Sequence, residues 1–208
     1  MKMKSVTSLV VNIDQRRSRR DADRVPDLLV ALAGIGVRLG FERTAGDEVQ
    51  ALADDPTVAA LVIEAVARLT VVGGGPGWRI GFGIGAVEDP GVSSTRAARG
   101  SAYLAAREAL EAAERQPGRL ALRGAADVDP ARIRYAETGL QLLRGLYGRR
   151  SATGWEVTDL LAELKDQSAV AARLQVSESA VSQRLERAEH RLGPSTAAMA
   201  EYLVNKLL

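Results

Sequence analysis

Polar and basic side chains recur near the C-terminal end of the chain at the spacing of one exposed helix face. Glutamine and arginine side chains can pair with the edges of adenine and guanine, and serine hydroxyls can bind either a base or a phosphate. A helix with such a face is typical of recognition in the major groove of DNA. We therefore expect a DNA-contacting set that comprises Ser177, Ser179, Ala180, Ser182, Gln183, Arg184 and Arg187.

The segment Gln167–Ala188 contains the elements that must position this face, namely two short helices joined by a tight turn. Ala171 leaves room where the two helices cross. In the turn, Val176 points inward and Ser177 caps the second helix. Apolar residues of the second helix recur at i, i+4 and i+7, which predicts a buried face made of Val181, Leu185 and Ala188. A preceding helix is expected to support the pair through Trp155, Leu160, Leu161 and Leu164.

An ordinary helical hairpin is the alternative interpretation of this segment. Gln175 occupies the position where glycine usually supplies a left-handed turn, at a cost of about 1 kcal/mol. Residues 149–193 contain as many acidic as basic side chains, so the segment carries no excess positive charge. The spacing nevertheless resembles the helix-turn-helix of sigma-factor region 4 and of the LuxR type, which implies a DNA-binding module. The matching residues are Ala171, Val176, Ser177, Val181 and Leu185.

The amino-acid composition excludes several kinds of covalent bond, catalytic nucleophile and metal site. The chain has no cysteine, which excludes disulfides, thiolate nucleophiles and cysteine-based zinc sites. Its single histidine, His190, lies between Glu189 and Arg191, where we expect a solvated rather than a catalytic side chain. No segment approaches the roughly 18 apolar residues of a membrane span, and the first apolar segment is too short for a signal sequence. We therefore expect a cytoplasmic protein without a membrane partner.

The charge is modest and unevenly distributed. A formal net charge of +2 is too small for a protein that coats nucleic acid, so any DNA contact must come from local clustering. The one dense basic run consists of Arg16, Arg17, Arg19 and Arg20. This run is either a solvated loop or a contact for DNA phosphate or for an anionic ligand, and the sequence leaves both interpretations open.

The N-terminal part alternates strand and helix patterns in the order β-α-β-β-α-β-α-β-α, which predicts an α+β fold with helices on a mostly antiparallel sheet. Glycines at positions 81, 83 and 85 leave one face of a strand bare, which indicates that another element packs closely there. The segment Gly148–Gly154 breaks the pattern, so we expect one domain over residues 1–148 and a helical domain over residues 154–208. The predicted elements are the strand Ser5–Ile13, the helix Asp21–Leu39, the hairpin strands Phe41–Thr44 and Val49–Ala53, the helix Pro56–Leu69, the strand Trp78–Val87, the helix Ser94–Arg115, the strand Leu120–Leu122 and the helix Pro130–Tyr147.

Short motifs of this N-terminal part resemble the SatD family, in which such a domain precedes a helix-turn-helix. The motifs are Val11–Asp14, Thr44–Gln50, Arg79–Gly85 and Gly100–Arg107. They resemble class III nucleotidyl cyclases and GGDEF domains more distantly. In the cyclase pattern, aspartates hold divalent ions against a triphosphate, because hard cations prefer carboxylate oxygens. The resemblance implies a nucleotide pocket with a divalent metal, lined by Asp14, Asp47, Glu48, Arg79 and Arg107.

Two positions depart from the cyclase pattern. Asn12 stands where a metal-binding aspartate is expected, and Tyr103 stands where an asparagine would orient the ribose. Loss of one metal ligand and one transition-state residue argues against two-metal catalysis. We therefore expect a degenerate domain that binds a nucleotide without turning it over, with Gly83 and Gly85 leaving room for a flat base.

A purely structural interpretation of the same motifs stays open. Gly46 and Asp47 can form no more than a tight turn between two strands. Arg107 can pair with Glu111, which lies one helical turn later on the same face. In that case the domain would hold no ligand.

Taken together, these patterns predict a DNA-binding transcriptional regulator, and not an enzyme, that senses a nucleotide-type ligand through a cyclase-like domain. One alternative is an active metal-dependent nucleotide-handling enzyme whose helical part serves assembly. Another is a structural N-terminal domain that dimerises the DNA reader. Because one helix-turn-helix reads few base pairs, we expect a homodimer. Leu203 and Leu207 are its predicted contacts, unless their apolar stripe completes the core of the small domain.

Overall fold

The computed structural model describes residues 7–16, 21–73, 77–88 and 91–208. The predicted α+β class is confirmed, because five strands form one mixed sheet that is covered by helices. The elements are β1 (Thr7–Gln15), α1 (Val25–Leu32), β2 (Leu39–Arg43), β3 (Glu48–Ala53), α2 (Thr57–Gly73), β4 (Trp78–Ala86), α3 (Ser101–Ala113), β5 (Leu120–Gly124), α4 (Pro130–Gly148), α5 (Ala152–Leu164), α6 (Gln167–Leu174), α7 (Glu178–Arg187) and α8 (Leu192–Asn205), with a short 3-10 turn at Pro117–Arg119.

The sheet has the strand order β2-β3-β1-β4-β5. The central strand β1 pairs antiparallel with both β3 and β4, and β2 pairs antiparallel with β3. The first six elements therefore form the β-α-β-β-α-β arrangement known as ferredoxin-like. Strand β5 pairs parallel with β4, because α3 crosses over between them. The sheet is thus mostly antiparallel, as predicted, with one parallel pair at its edge.

Both faces of β1 are covered, although by different partners. Leu9, Val11 and Ile13 belong to the main apolar core, which also contains residues of α1, α2 and α4. Val10, on the opposite face, packs with Ala102 of α3 in a smaller cluster. Because a strand buried on both sides needs apolar or internally bonded residues at every position, β1 shows an almost unbroken buried run.

Two predicted helices are shorter in the structure than the sequence pattern indicated. The helix expected over Asp21–Leu39 spans only Val25–Leu32, and Leu39 instead begins β2. The helix expected over Ser94–Arg115 begins at Ser101. The preceding Gly100 has a φ of 141°, which a right-handed helix cannot contain, so the chain has to turn before α3 starts. The predicted hairpin is confirmed as β2 and β3.

The last helix, α8, packs on α4 and α2 rather than on the helix-turn-helix. Its residues Ala200, Val204 and Leu207 are buried in the main core of the α+β part. The prediction of Leu207 as a dimer contact is therefore wrong, because the chain's own helices already cover this side chain. Leu203 is partly buried against the same core.

The predicted linker Gly148–Gly154 is mostly helical, since α4 runs to Gly148 and α5 starts at Ala152. Trp155 also differs from its predicted place, because it joins the main core and not the cluster of the helix-turn-helix. Leu164 is 36% exposed and supports neither cluster. The connection between the α+β part and the helix-turn-helix is therefore short and packed.

Candidate functional site

The turn between α6 and α7 has the local geometry of a helix-turn-helix. Gln175 adopts the left-handed conformation, with φ 54° and ψ 43°, despite its β-carbon. The Val176 amide donates a hydrogen bond of 3.0 Å to the Ala171 carbonyl, which closes the end of α6. The Ser177 hydroxyl accepts a hydrogen bond of 3.2 Å from the Ala180 amide and so caps α7, as predicted.

A separate apolar cluster holds the three helices of this module together. Its buried members are Val157, Val170, Ala171, Val181 and Leu185. Leu160 and Leu161 of α5 support the cluster as predicted. The buried face of α7 is therefore fixed by Val181 and Leu185, and the rest of the helix is left to face outward.

The residues predicted to contact DNA lie on that outward side. Ser177, Ser179, Ser182, Gln183 and Arg187 are exposed, and Ala180 and Arg184 are partly exposed. The structure thus brings all seven residues onto one accessible surface, which we call the α7 face. Glu178 and Glu186 are also exposed on this helix.

The two arginines of the α7 face are not neutralised from within the protein. Neither the Arg184 nor the Arg187 guanidinium group forms a hydrogen bond or an ion pair within the described part of the chain. His190 lies beyond the end of α7 and is partly buried. Burial, and then the charges of Arg150 and Arg191, lower the pKa of His190, so its ring is neutral at pH 7. The positive charge that α7 presents is therefore that of its two guanidinium groups.

Stacked arginine and aromatic side chains connect the helix-turn-helix to the α+β part. The Arg68 guanidinium lies 3.9 Å from the centre of the Trp155 ring and binds both carboxylate oxygens of Asp159, at 2.7 and 2.8 Å. Arg150 lies 4.6 Å from the same ring and donates a 2.6 Å hydrogen bond to the Ala188 carbonyl at the end of α7. These contacts give the α7 face a defined orientation relative to the sheet.

The residues that the cyclase resemblance pointed to lie at one end of the sheet. Asp14 of β1 is paired across the sheet with Glu48 of β3 on one side and with Arg79 of β4 on the other. Asp14 is 5% exposed and accepts a hydrogen bond from the Arg79 guanidinium, which also lies 3.6 Å from Glu114. The Asp14 carboxylate therefore already has a cationic partner within the protein.

Asp47 and Glu48 occupy the turn of the β2–β3 hairpin. Gly46 has a φ of 59°, and the Glu48 amide donates a 3.0 Å hydrogen bond to the Ala45 carbonyl. This geometry is that of a tight turn. Burial raises the pKa of Glu48, whereas its hydrogen bond from Thr44 lowers it.

Arg107 of α3 lies close enough to this turn for its charge to act on Glu48. It is exposed, and its charge lowers the pKa of Glu48. The described chain shows no ion pair between Arg107 and Glu111 of the same helix. The structure thus brings Arg107, Glu48, Asp14 and Arg79 to one end of the sheet, with Asp47 on the neighbouring turn.

The expected room for a flat base is absent, because α3 fills it. A β-carbon placed on Gly83 would lie 2.7 Å from the Cα of Ala106, and one on Gly85 would lie 2.9 Å from the Ala102 amide nitrogen. The prediction that another element packs closely on these glycines is confirmed. The prediction of a base pocket at Gly83 and Gly85 is wrong, since the backbone of α3 occupies the space that the missing side chains leave.

Asn12 and Tyr103, which replace the expected cyclase residues, belong to a buried polar network. The Asn12 side-chain oxygen accepts a 2.9 Å hydrogen bond from Gln50, and Gln50 in turn accepts a 3.2 Å bond from Thr95. The Tyr103 hydroxyl lies 3.3 Å from that of Thr95. Because these groups satisfy one another, the network stabilises the loop before α3 against the sheet.

One polar residue that the sequence interpretation missed is Arg144. It lies between Leu143 and Gly145 on α4 and is 8% exposed, within a helix face that is otherwise apolar. A charged residue inside an apolar helical stripe was the pattern that could have revealed it. Arg68 and Arg150 were missed because their partners are distant in sequence.

Neither a scan against protein-family models nor a search of curated proteins finds a match for this chain.

Within the described residues, no cluster of three or more acidic or histidine side chains is arranged to hold a metal ion. The helices of that part of the chain also lack the combined length and apolar character that a bilayer crossing requires.

Proposed function

We propose that this protein is a sequence-specific DNA-binding transcriptional regulator that places α7 in the major groove. The observation that carries the proposal is the α7 face: all seven predicted DNA contacts lie on the accessible side of a helix whose other side is fixed by Val181 and Leu185. A helix presented in this way, after a capped turn, matches the docking mode of helix-turn-helix proteins.

The dimensions of the module support this mode of binding. Helix α7 has 10 residues, which corresponds to about 15 Å of helix at 1.5 Å per residue. An α-helix with its side chains is about 10–12 Å in diameter, so it fits the major groove of B-DNA, which is about 12 Å wide. In this mode, Ser177 and Ser179 at the N-terminal end of α7 would contact phosphate or a base, and Gln183 would contact a base edge.

The charge distribution supports separate roles for the polar residues of α7. Arg184 and Arg187 have no internal ion pair among the described residues, so binding DNA phosphate or guanine breaks no existing contact of theirs. Glu186, exposed on the same helix, repels phosphate. We infer that Gln183 and Arg184 read bases and that Arg187 positions the backbone.

The test begins with selection of bound sequences from a random DNA library, followed by affinity measurements on the selected site and on random DNA. Gln183→Ala should weaken binding to the selected site by about 1–3 kcal/mol and leave binding to random DNA unchanged. Gln116→Ala, the same substitution in the loop after α3, is the matched control and should bind both DNAs as the wild type does.

Two outcomes would contradict the proposal. The first is a library from which no sequence is enriched. The second is an equal loss of affinity for selected and random DNA in Gln183→Ala, which would assign this side chain to backbone contact or to folding rather than to base recognition.

A further inference from the structure

An arginine-lined cavity lies at the C-terminal end of α4, away from the α7 face. It has a volume of about 510 Å³ and is bordered by the end of β1, by α2, by the start of β4 and by the turn before β5. Among the described residues that line it, four are arginines and none is an aspartate or a glutamate. The arginines are Arg16, Arg119, Arg144 and Arg149.

Arg144 is the innermost of these cations. It is 8% exposed, and its Nε donates a 3.4 Å hydrogen bond to the Gly118 carbonyl. Its Nη1 atom is buried without a partner in the described structure. Burial lowers the pKa of Arg144 to about 10, so the side chain still carries its charge at neutral pH. A buried guanidinium group with an unused donor is costly unless an anion pairs with it.

The neighbouring arginines differ in how far they are neutralised. Arg119 is bound to the Glu114 carboxylate at 2.6 Å, so its charge is offset. Arg149 is exposed and forms no ion pair with the described residues. Gly118 leaves space for the stem of Arg144, since a β-carbon there would lie 2.7 Å from the Arg144 Cγ. The local structure therefore holds Arg144 inside the cavity, and Arg149 adds an exposed positive charge to its lining.

We propose that this cavity binds a small molecule that carries two or more oxyanion charges, with one oxyanion on Arg144 and Arg149. Guanidinium groups fit phosphate and carboxylate oxygens in a bidentate manner, and the described residues that line the cavity include no aspartate or glutamate. Ala67 and Trp78 provide an apolar wall for the rest of the ligand. The cavity is separate from the α7 face, so the inference does not depend on DNA binding.

Calorimetric titration of the full-length protein with inorganic pyrophosphate, and separately with citrate, tests the proposal. We expect saturable binding at one site. Binding of pyrophosphate alone would identify a phosphate-bearing ligand, and binding of both compounds would identify a general polyanion site. Arg149→Gln should weaken binding about tenfold or more, as expected for one lost charge-assisted hydrogen bond. Arg134→Gln, on the exposed side of the same helix, should bind as the wild type does.

The Arg144→Met variant provides a second test, in which thermal unfolding is measured with and without pyrophosphate. Pyrophosphate should raise the melting temperature of the wild type and leave that of Arg144→Met unchanged. Without ligand, Arg144→Met should melt at or above the wild-type temperature, because it removes an incompletely paired buried charge. The proposal is overturned if neither anion binds, if Arg149→Gln binds as tightly as the wild type, if Arg144→Met keeps the shift, or if the unliganded variant melts lower.

Discussion

The α7 face and the polar end of the sheet contain similar residue types, but they differ in what those residues already contact. On α7, the side chains of Gln183, Arg184 and Arg187 form no hydrogen bond within the described chain. At the end of the sheet, Asp14 is paired with Arg79, and Asn12 is bonded to Gln50. A polar residue can serve a partner molecule only if the fold leaves its bonding capacity unused. The α7 face meets this condition, whereas Asp14 and Asn12 stabilise the fold itself.

The cavity around Arg144 meets the same condition, because the fold leaves part of the bonding capacity of this arginine unused. It lies within the α+β part, yet one donor of its buried arginine has no partner in the described structure. No sequence motif pointed to it. A ligand site in this domain is therefore better sought where a buried charge lacks a partner than where a family motif places carboxylates.

The largest expected effect tests whether α3 packs closely on the glycines of β4, which would leave no space for a ligand there. Gly83→Ala should lower the free energy of unfolding by about 3 kcal/mol, because its β-carbon would collide with the backbone of α3. Urea unfolding measures the change. Gly36→Ala is the control, since a β-carbon there meets nothing within 4 Å. If both variants were equally stable, α3 would not lie on this face of β4.

A smaller effect tests the turn of the helix-turn-helix. Gln175→Gly should raise the free energy of unfolding by about 0.5–1 kcal/mol, because glycine adopts the left-handed conformation of this residue without strain. Gln175→Ala keeps the β-carbon and serves as the matched control, with no gain. A glycine variant no more stable than the alanine variant would show that Gln175 is not strained in solution.

The smallest effect concerns the pH dependence at the hairpin turn. Burial raises the pKa of Glu48 in the folded protein. The stability associated with its protonated form is present below the unfolded pKa near 4.5 and is lost as the pH rises through the higher folded value. Glu48→Gln should therefore gain stability relative to the wild type between pH 4 and pH 7, by about a few tenths of a kcal/mol.

Unfolding curves at several pH values measure this gain. Glu111→Gln removes an equal charge from the exposed face of α3 and controls for the change in net charge. A difference between Glu48→Gln and the wild type that does not change with pH would assign the effect to packing instead. If Glu48→Gln instead lost stability relative to the wild type as the pH rises, the folded protein would stabilise the Glu48 carboxylate, contrary to its raised pKa.

The sequence by itself determined the features that depend on neighbours a few residues apart. The capping serine at 177, the inward Val176 and the i, i+4 pair of Val181 and Leu185 predicted the helix-turn-helix, and each lies as expected. The alternation of strand and helix patterns predicted the α+β class. Hydrophobic periodicity and capping are local properties, so a linear pattern contains them.

Only the tertiary structure decided which partner each element meets. The apolar stripe of α8 could have covered a dimer interface or a small domain, but it packs on α4 and α2. Trp155 was expected among the helix-turn-helix residues and instead stacks with Arg68 of α2. Arg144 became a candidate ligand contact because the folded chain buried it beside Gly118 and left one donor unpaired. Apolar burial has no preferred direction, so residue type shows that a side chain will be covered, and only the packing of distant segments determines what covers it.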